Sequence, residues 1–162
     1  MVNPALLEPR FDTSTGASDI GQLAVARVGT GDRGGVLFAH GFGQSRHAWT
    51  ATPTVLARAG YRTLAYDPRG HGDSFWNPAD LRYHGEQFTD DLIVLAGEQP
   101  QPPVLVAASM GGLFGLLAEA RWPGLFQAMV LVDITPRWNA AGVERILEFM
   151  TAHPAGFVSL HE

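Results

Sequence analysis

Short apolar runs alternate with amphipathic stretches along most of the chain. Leu23–Val28 reads as a strand, ended by the turn-rich segment Gly29–Gly35. Val36–Ala39 is apolar without a break, the pattern of a strand covered on both faces. A helix is predicted from about Trp49 to Ala59, carrying Val55, Leu56 and Ala59 and closed by Gly60. Arg62–Tyr66 is the next strand, followed by a long loop with Pro68, Gly70, Gly72 and Pro78. A second helix spans about Gln87 to Gly97, with Phe88, Leu92 and Leu95 on one face. Pro102 and Pro103 break the chain before the buried strand Val104–Ala108. The next helix starts near Gly111 and shows Leu113, Leu116, Leu117 and Ala120 at helical spacing. Ala128–Val132 is a further apolar strand ending at Asp133, and an amphipathic segment with Val143, Ile146, Leu147 and Met150 precedes Pro154.

Apolar strands alternating with helices predict an α/β fold, a mostly parallel sheet with helices on both faces. Function in such sheets collects at the carboxyl ends of the strands. The loops after Ala39, Tyr66, Ala108 and Val132 are therefore where chemistry is expected.

Composition narrows the classes. The 162 residues are 46% hydrophobic and 17% charged, too apolar for disorder. A chain this long buries roughly 70% of its unfolded surface, enough for one compact domain. Without cysteine there is neither a disulfide framework nor a thiolate metal site. A formal charge of −5 argues against nucleic acid or an anionic membrane as partner. No run approaches the roughly 18 apolar residues of a membrane span, and Met1–Arg10 does not read as a secretory signal. The expectation is a soluble, cytoplasmic protein.

After the strand Val104–Ala108 the chain reads Ser109-Met110-Gly111-Gly112 and enters a helix. A nucleophile elbow needs a serine on a sharp strand-to-helix turn, flanked by small residues because the turn is crowded. The usual pattern is G-x-S-x-G; Ala107 stands in the first small position and keeps it small. Small residues also occupy ordinary strand-helix turns, so the motif alone is modest. After Val36–Ala39 comes His40-Gly41-Phe42-Gly43-Gln44-Ser45, a glycine-rich turn able to aim a backbone N–H into the site. An oxyanion hole would pair the N–H groups of Phe42 and Met110. His40 reads as a residue that hydrogen-bonds this loop in preference to a catalytic base. Asp67, Arg69 and His71, in Asp67-Pro68-Arg69-Gly70-His71-Gly72-Asp73-Ser74, read as the scaffold of a tight turn.

These motifs, in this order and each at a strand end, resemble the α/β-hydrolase family. The likeness is to the branch holding esterases, epoxide hydrolases, haloalkane dehalogenases and C–C bond hydrolases, and it covers roughly residues 20 to 140. It implies a serine hydrolase with Ser109 as nucleophile, acting on a small-molecule ester or related acyl substrate. Dehalogenases and epoxide hydrolases of this type carry aspartate at that position, so serine speaks against both chemistries. Asp133 is the candidate acid that orients the base; the alternative is an aspartate capping a turn before Pro136.

A serine hydroxyl needs a positioned base, normally histidine. In the family that histidine follows the last strand, and none of His40, His47, His71, His84, His153 and His161 matches its position. The expected organisation is the N-terminal part of a hydrolase core over residues 1–139, with 140–162 beginning a cap. The absent strands would lie beside Ala128–Val132, leaving an exposed edge open to self-association or a partner. The chain then reads as a truncated product, a fragment or one chain of a split enzyme, inactive or nearly so by itself. The second reading is a non-catalytic, hydrolase-like binding or assembly module. Trp49, Phe75, Trp76 and Trp138 are candidates for an apolar pocket, although aromatic side chains in such a core more often pack. No cofactor and no metal are expected, because no His, Asp and Glu cluster has ligand spacing.

Overall fold

The computed structural model describes the backbone of residues 10–15 and residues 21–134, 137 and 139–152. Trp138, His153, His161, Pro136 and Pro154 lie outside the described residues. In chain order the elements are β1 (Arg10–Thr15), β2 (Gln22–Val28), β3 (Gly35–Ala39), a 3₁₀ turn (Arg46–Trp49), α1 (Ala51–Arg58) and β4 (Arg62–Tyr66), then α2 (Gly85–Gly97), β5 (Val104–Ala108), α3 (Met110–Arg121), β6 (Ala128–Val132) and α4 (Ala140–Thr151).

The strands form one sheet in the order β1-β2-β4-β3-β5-β6. β4, β3, β5 and β6 run parallel, while β1 and β2 join antiparallel at one side. The central strand β3 was legible as an unbroken apolar run because it is covered on both faces; all five of its residues are buried. On one face Leu37, Ala39, Leu64, Leu105 and Ala107 pack with Leu92 and Leu95 of α2 and Ala118 of α3. On the other, Val36, Phe38 and Ala65 pack with Trp49, Leu56 and Tyr61. Trp49 and Phe75 are partly buried and pack against the core, Trp49 also lining a small surface pocket with Arg46 and Pro53, whereas Trp76 is exposed. Helices cover both faces, as the patterning predicts.

Two helix faces differ from what apolar spacing alone suggests. The inward side of α3 is not the leucine stripe but Gly111, Gly112, Gly115 and Ala118; Leu117 is exposed. Small residues win because the helix lies directly on the sheet. A Cβ on Gly111 would stand 2.7 Å from both Cβ and O of Ala39, and one on Gly115 would stand 2.4 Å from Leu105 Cδ2. Gly111→Ala is therefore expected to cost about 1–3 kcal/mol as an overpacking change, read as a lower urea midpoint at unchanged slope. The second concerns α4. The stripe Val143, Ile146, Leu147, Met150 reads from sequence as packing more than chemistry, yet no residue of the helix is buried, and Ile146, Leu147, Phe149 and Met150 are exposed.

Among the described residues β6 pairs with β5 alone and forms an edge of the sheet. Ala128, Val130 and Val132 point to an uncovered face, while Met129 and Leu131 turn toward the glycines of α3.

Candidate active site

Ser109 lies at the junction of β5 and α3, where the chain reverses from strand to helix within one residue. Its backbone is held at φ 44° and ψ −113°, a conformation that costs an L-residue of order 1–3 kcal/mol and persists only when its surroundings impose it. Those surroundings are visible. The Ser109 N–H donates to Val132 O at 3.0 Å, its carbonyl accepts from Leu113 N at 3.0 Å, and Gly111 lies flush against Ala39. The side chain is exposed, and Oγ has no hydrogen-bond partner among the described residues.

The turn after β3 lies alongside. The position a Gly41 Cβ would take is 3.4 Å from Ser109 Cβ, so the turn lies in contact with the serine. The Gly41 carbonyl is 2.7 Å from His40 Nδ1, which must carry the proton of that bond because a carbonyl only accepts. The N–H groups of Phe42 and Met110 donate to no described group. Ser109 and these two amides, expected from sequence to work together, belong to adjoining segments at the carboxyl ends of β3 and β5.

Asp133 follows Val132, whose carbonyl holds the Ser109 N–H. It has φ 53°; Ser109 and Asp133 are the two non-glycine residues described with positive φ. Its carboxylate is exposed and accepts no hydrogen bond among the described residues. No described histidine hydrogen-bonds Ser109.

Beneath the turn sits the loop that follows β4. Asp67, fully buried, accepts from the backbone N–H of Arg46 at 2.6 Å and of Asp73 at 3.0 Å, and pairs with the Arg46 guanidinium. His40 Nε2 is 3.7 Å from Asp67 Oδ1. Arg69 and Asp91 form a two-bond pair, Nε to Oδ2 and Nη2 to Oδ1, both at 2.6 Å and almost without exposure. The His71 ring stands edge-on to His40 and to Phe42, with centroids 5.6 Å away in each case. The reading of Asp67, Arg69 and His71 as scaffold agrees with this network. Sequence reasoning missed Arg46, Gln44 and Asp91; for Asp91 a signal existed, an acid three residues after Phe88 on the apolar face of α2.

The network makes stability depend on acid. Burial alone would raise the Asp67 pKa, but the His40 ring, the two amides and the Arg46 charge outweigh it and lower it from 3.8 to about 2. Asp67 therefore stabilises the fold fully above about pH 4, and that contribution is lost as pH falls through about 2. The His71 pKa is lowered, by burial first and then by the neighbouring His40 ring, against the Arg69 carbonyl and Asp67. Below pH 6.5 the unfolded chain takes that proton first, so stability drops there too. Urea unfolding between pH 7.5 and 2.5 should show both losses. Asp67→Asn should flatten the lower one and His71→Gln the upper.

Among the described residues no three His, Cys, Asp or Glu side chains gather as a metal site would, and no helix is long and apolar enough to cross a membrane.

Residues 36–161 match the model of a family described as the alpha/beta hydrolase family. An esterase of Mycobacterium tuberculosis is 36% identical over 141 residues, which is 86% of this chain and 44% of the esterase. An sn-1-specific diacylglycerol lipase of Mus musculus is 37% identical over 112 residues, 66% of this chain and 34% of the lipase. Among solved structures, an epoxide hydrolase of Vigna radiata superposes with a TM-score of 0.71 at 26% identity, covering 86% of this chain and 47% of that one. The chain spans less than half the length of each of these relatives.

Proposed function

The chain belongs to the α/β-hydrolase family, and from that premise we propose that it carries the nucleophile side of a serine hydrolase acting on an ester or related acyl compound. The observation that carries this reading is the strained backbone of Ser109 at the β5–α3 turn, next to two unspent amides. Ser109 Oγ attacks the acyl carbonyl while its proton passes to a histidine; the new oxyanion takes hydrogen bonds from Phe42 and Met110 N–H. The tetrahedral intermediate collapses, the alcohol leaves with the proton, and water then releases the acid by the same steps. Asp133 orients the histidine.

That histidine comes from polypeptide outside these 162 residues, in the same product or in a second chain. Three observations support this part: Oγ lacks any described partner, the chain matches less than half the length of these relatives, and β6 offers an edge with no described partner strand beside the elbow. α4 is the first piece of a cap, which accounts for an apolar stripe that no described residue buries. The same edge is where self-association or a partner would attach. A non-catalytic binding or assembly module is the competing reading, favoured by the unpartnered Oγ.

A pair of substrates separates the readings. With the complete gene product, p-nitrophenyl esters are hydrolysed and styrene oxide is not, since an epoxide hydrolase of this type attacks with aspartate. The 162-residue chain alone stays near background. Epoxide opening without ester turnover overturns the acyl reading, and a complete product inert to every ester and inert to a fluorophosphonate favours the binding module.

A further inference from the structure

An oxyanion donor works only if it is held in place before the charge develops. In the turn after β3 the peptide unit that must be held joins Gly41 to Phe42. It is trans, like every described peptide, so the Gly41 carbonyl and the Phe42 N–H point in opposite directions. Whatever fixes the carbonyl therefore aims the amide.

Two groups fix that carbonyl: His40 Nδ1–H at 2.7 Å and the backbone N–H of Gln44 at 3.3 Å. Gln44 also reaches back with its side chain. Its Oε1 accepts the Gly41 N–H at 3.1 Å, so both polar groups of residue 41 are tied to the same glutamine. The site where a Gly41 Cβ would stand is 3.3 Å from Gln44 Oε1 and 3.4 Å from Ser109 Cβ. Residue 41 is thus flanked by the glutamine amide and the serine.

We propose that Gln44 is a positioning residue for the oxyanion hole, its side-chain oxygen engaging Gly41 N–H so that the Gly41–Phe42 peptide presents the Phe42 amide to the acyl oxyanion. The inference deepens the serine-hydrolase reading and rests on it for its kinetic consequence. The clamp itself can be read without any turnover.

The variants are Gln44→Leu, which keeps length and removes the acceptor, and Gln44→Glu, which keeps an oxygen for Gly41 N–H. In the 162-residue chain, amide exchange followed by NMR should be about 10-fold faster at Gly41 in Gln44→Leu than in the wild type or Gln44→Glu. In the complete gene product, Gln44→Leu should lower kcat on a p-nitrophenyl ester about 10-fold with KM within about twofold. Gln44→Glu should recover most of that loss. Unchanged Gly41 exchange in Gln44→Leu overturns the clamp. Faster exchange with unchanged kcat overturns its role in positioning. A wild-type gene product that hydrolyses no ester removes the serine-hydrolase reading and the kinetic role with it, while the exchange comparison still decides whether the clamp exists.

Discussion

Ser109→Ala is expected to lower kcat on a p-nitrophenyl ester by at least about 10⁴-fold in any form of the protein that turns the ester over. The melting temperature should move by only a few degrees. Both halves of the expectation come from the same geometry. Oγ is exposed and touches no described polar group, so its removal deprives the fold of almost nothing. The backbone at φ 44° is imposed by the Val132 carbonyl and the Ala39–Gly111 contact, and alanine inherits both. Only chemistry is lost. In the 162-residue chain by itself, wild type and variant should be alike, because the proposed chemistry takes its base from polypeptide outside these residues.

Asp91→Ala should do the reverse, taking about 3–5 kcal/mol from stability before any question of rate arises. Arg69 is 2% exposed and holds Asp91 through two bonds of 2.6 Å. Without the carboxylate, a guanidinium stays buried with its charge uncompensated, stacked over Phe75 at 5.2 Å. The double change Arg69→Met with Asp91→Leu should be less harmful than Asp91→Ala, since it removes both charges and leaves apolar volume. Urea titrations of the three proteins check the order. Activity should follow stability here, for the Arg69–Asp91 pair anchors the loop that places His71 against Phe42.

The parallel strands were legible because each is a short, largely apolar run bounded by turn or proline residues. Arg62–Tyr66, Val104–Ala108 and Ala128–Val132 appear with the bounds the sequence predicts. β1 was not legible, for Arg10–Thr15 contains one large apolar residue, Phe11, and offers no periodicity to read. The buried face of α3 was not legible for a related reason. Glycine contributes no hydrophobic signal, so periodicity selects the leucines, while the contact with β3 demands the residues that have no side chain to clash. At the site, the serine turn and the glycine turn could be found from local spacing, because each is a local solution to a steric problem. Arg46 with Asp67 and Arg69 with Asp91 could not, since their partners lie 21 and 22 positions apart and meet only once the sheet has formed.

The atom that becomes acylated decides the chemistry. Incubating the complete gene product with a fluorophosphonate and mapping the adduct by peptide mass spectrometry reads that atom directly. A single adduct on the peptide containing Ser109, absent from Ser109→Ala, is the predicted result. An adduct on any other residue, or one that persists in Ser109→Ala, contradicts the assignment of the nucleophile and with it the proposed chemistry.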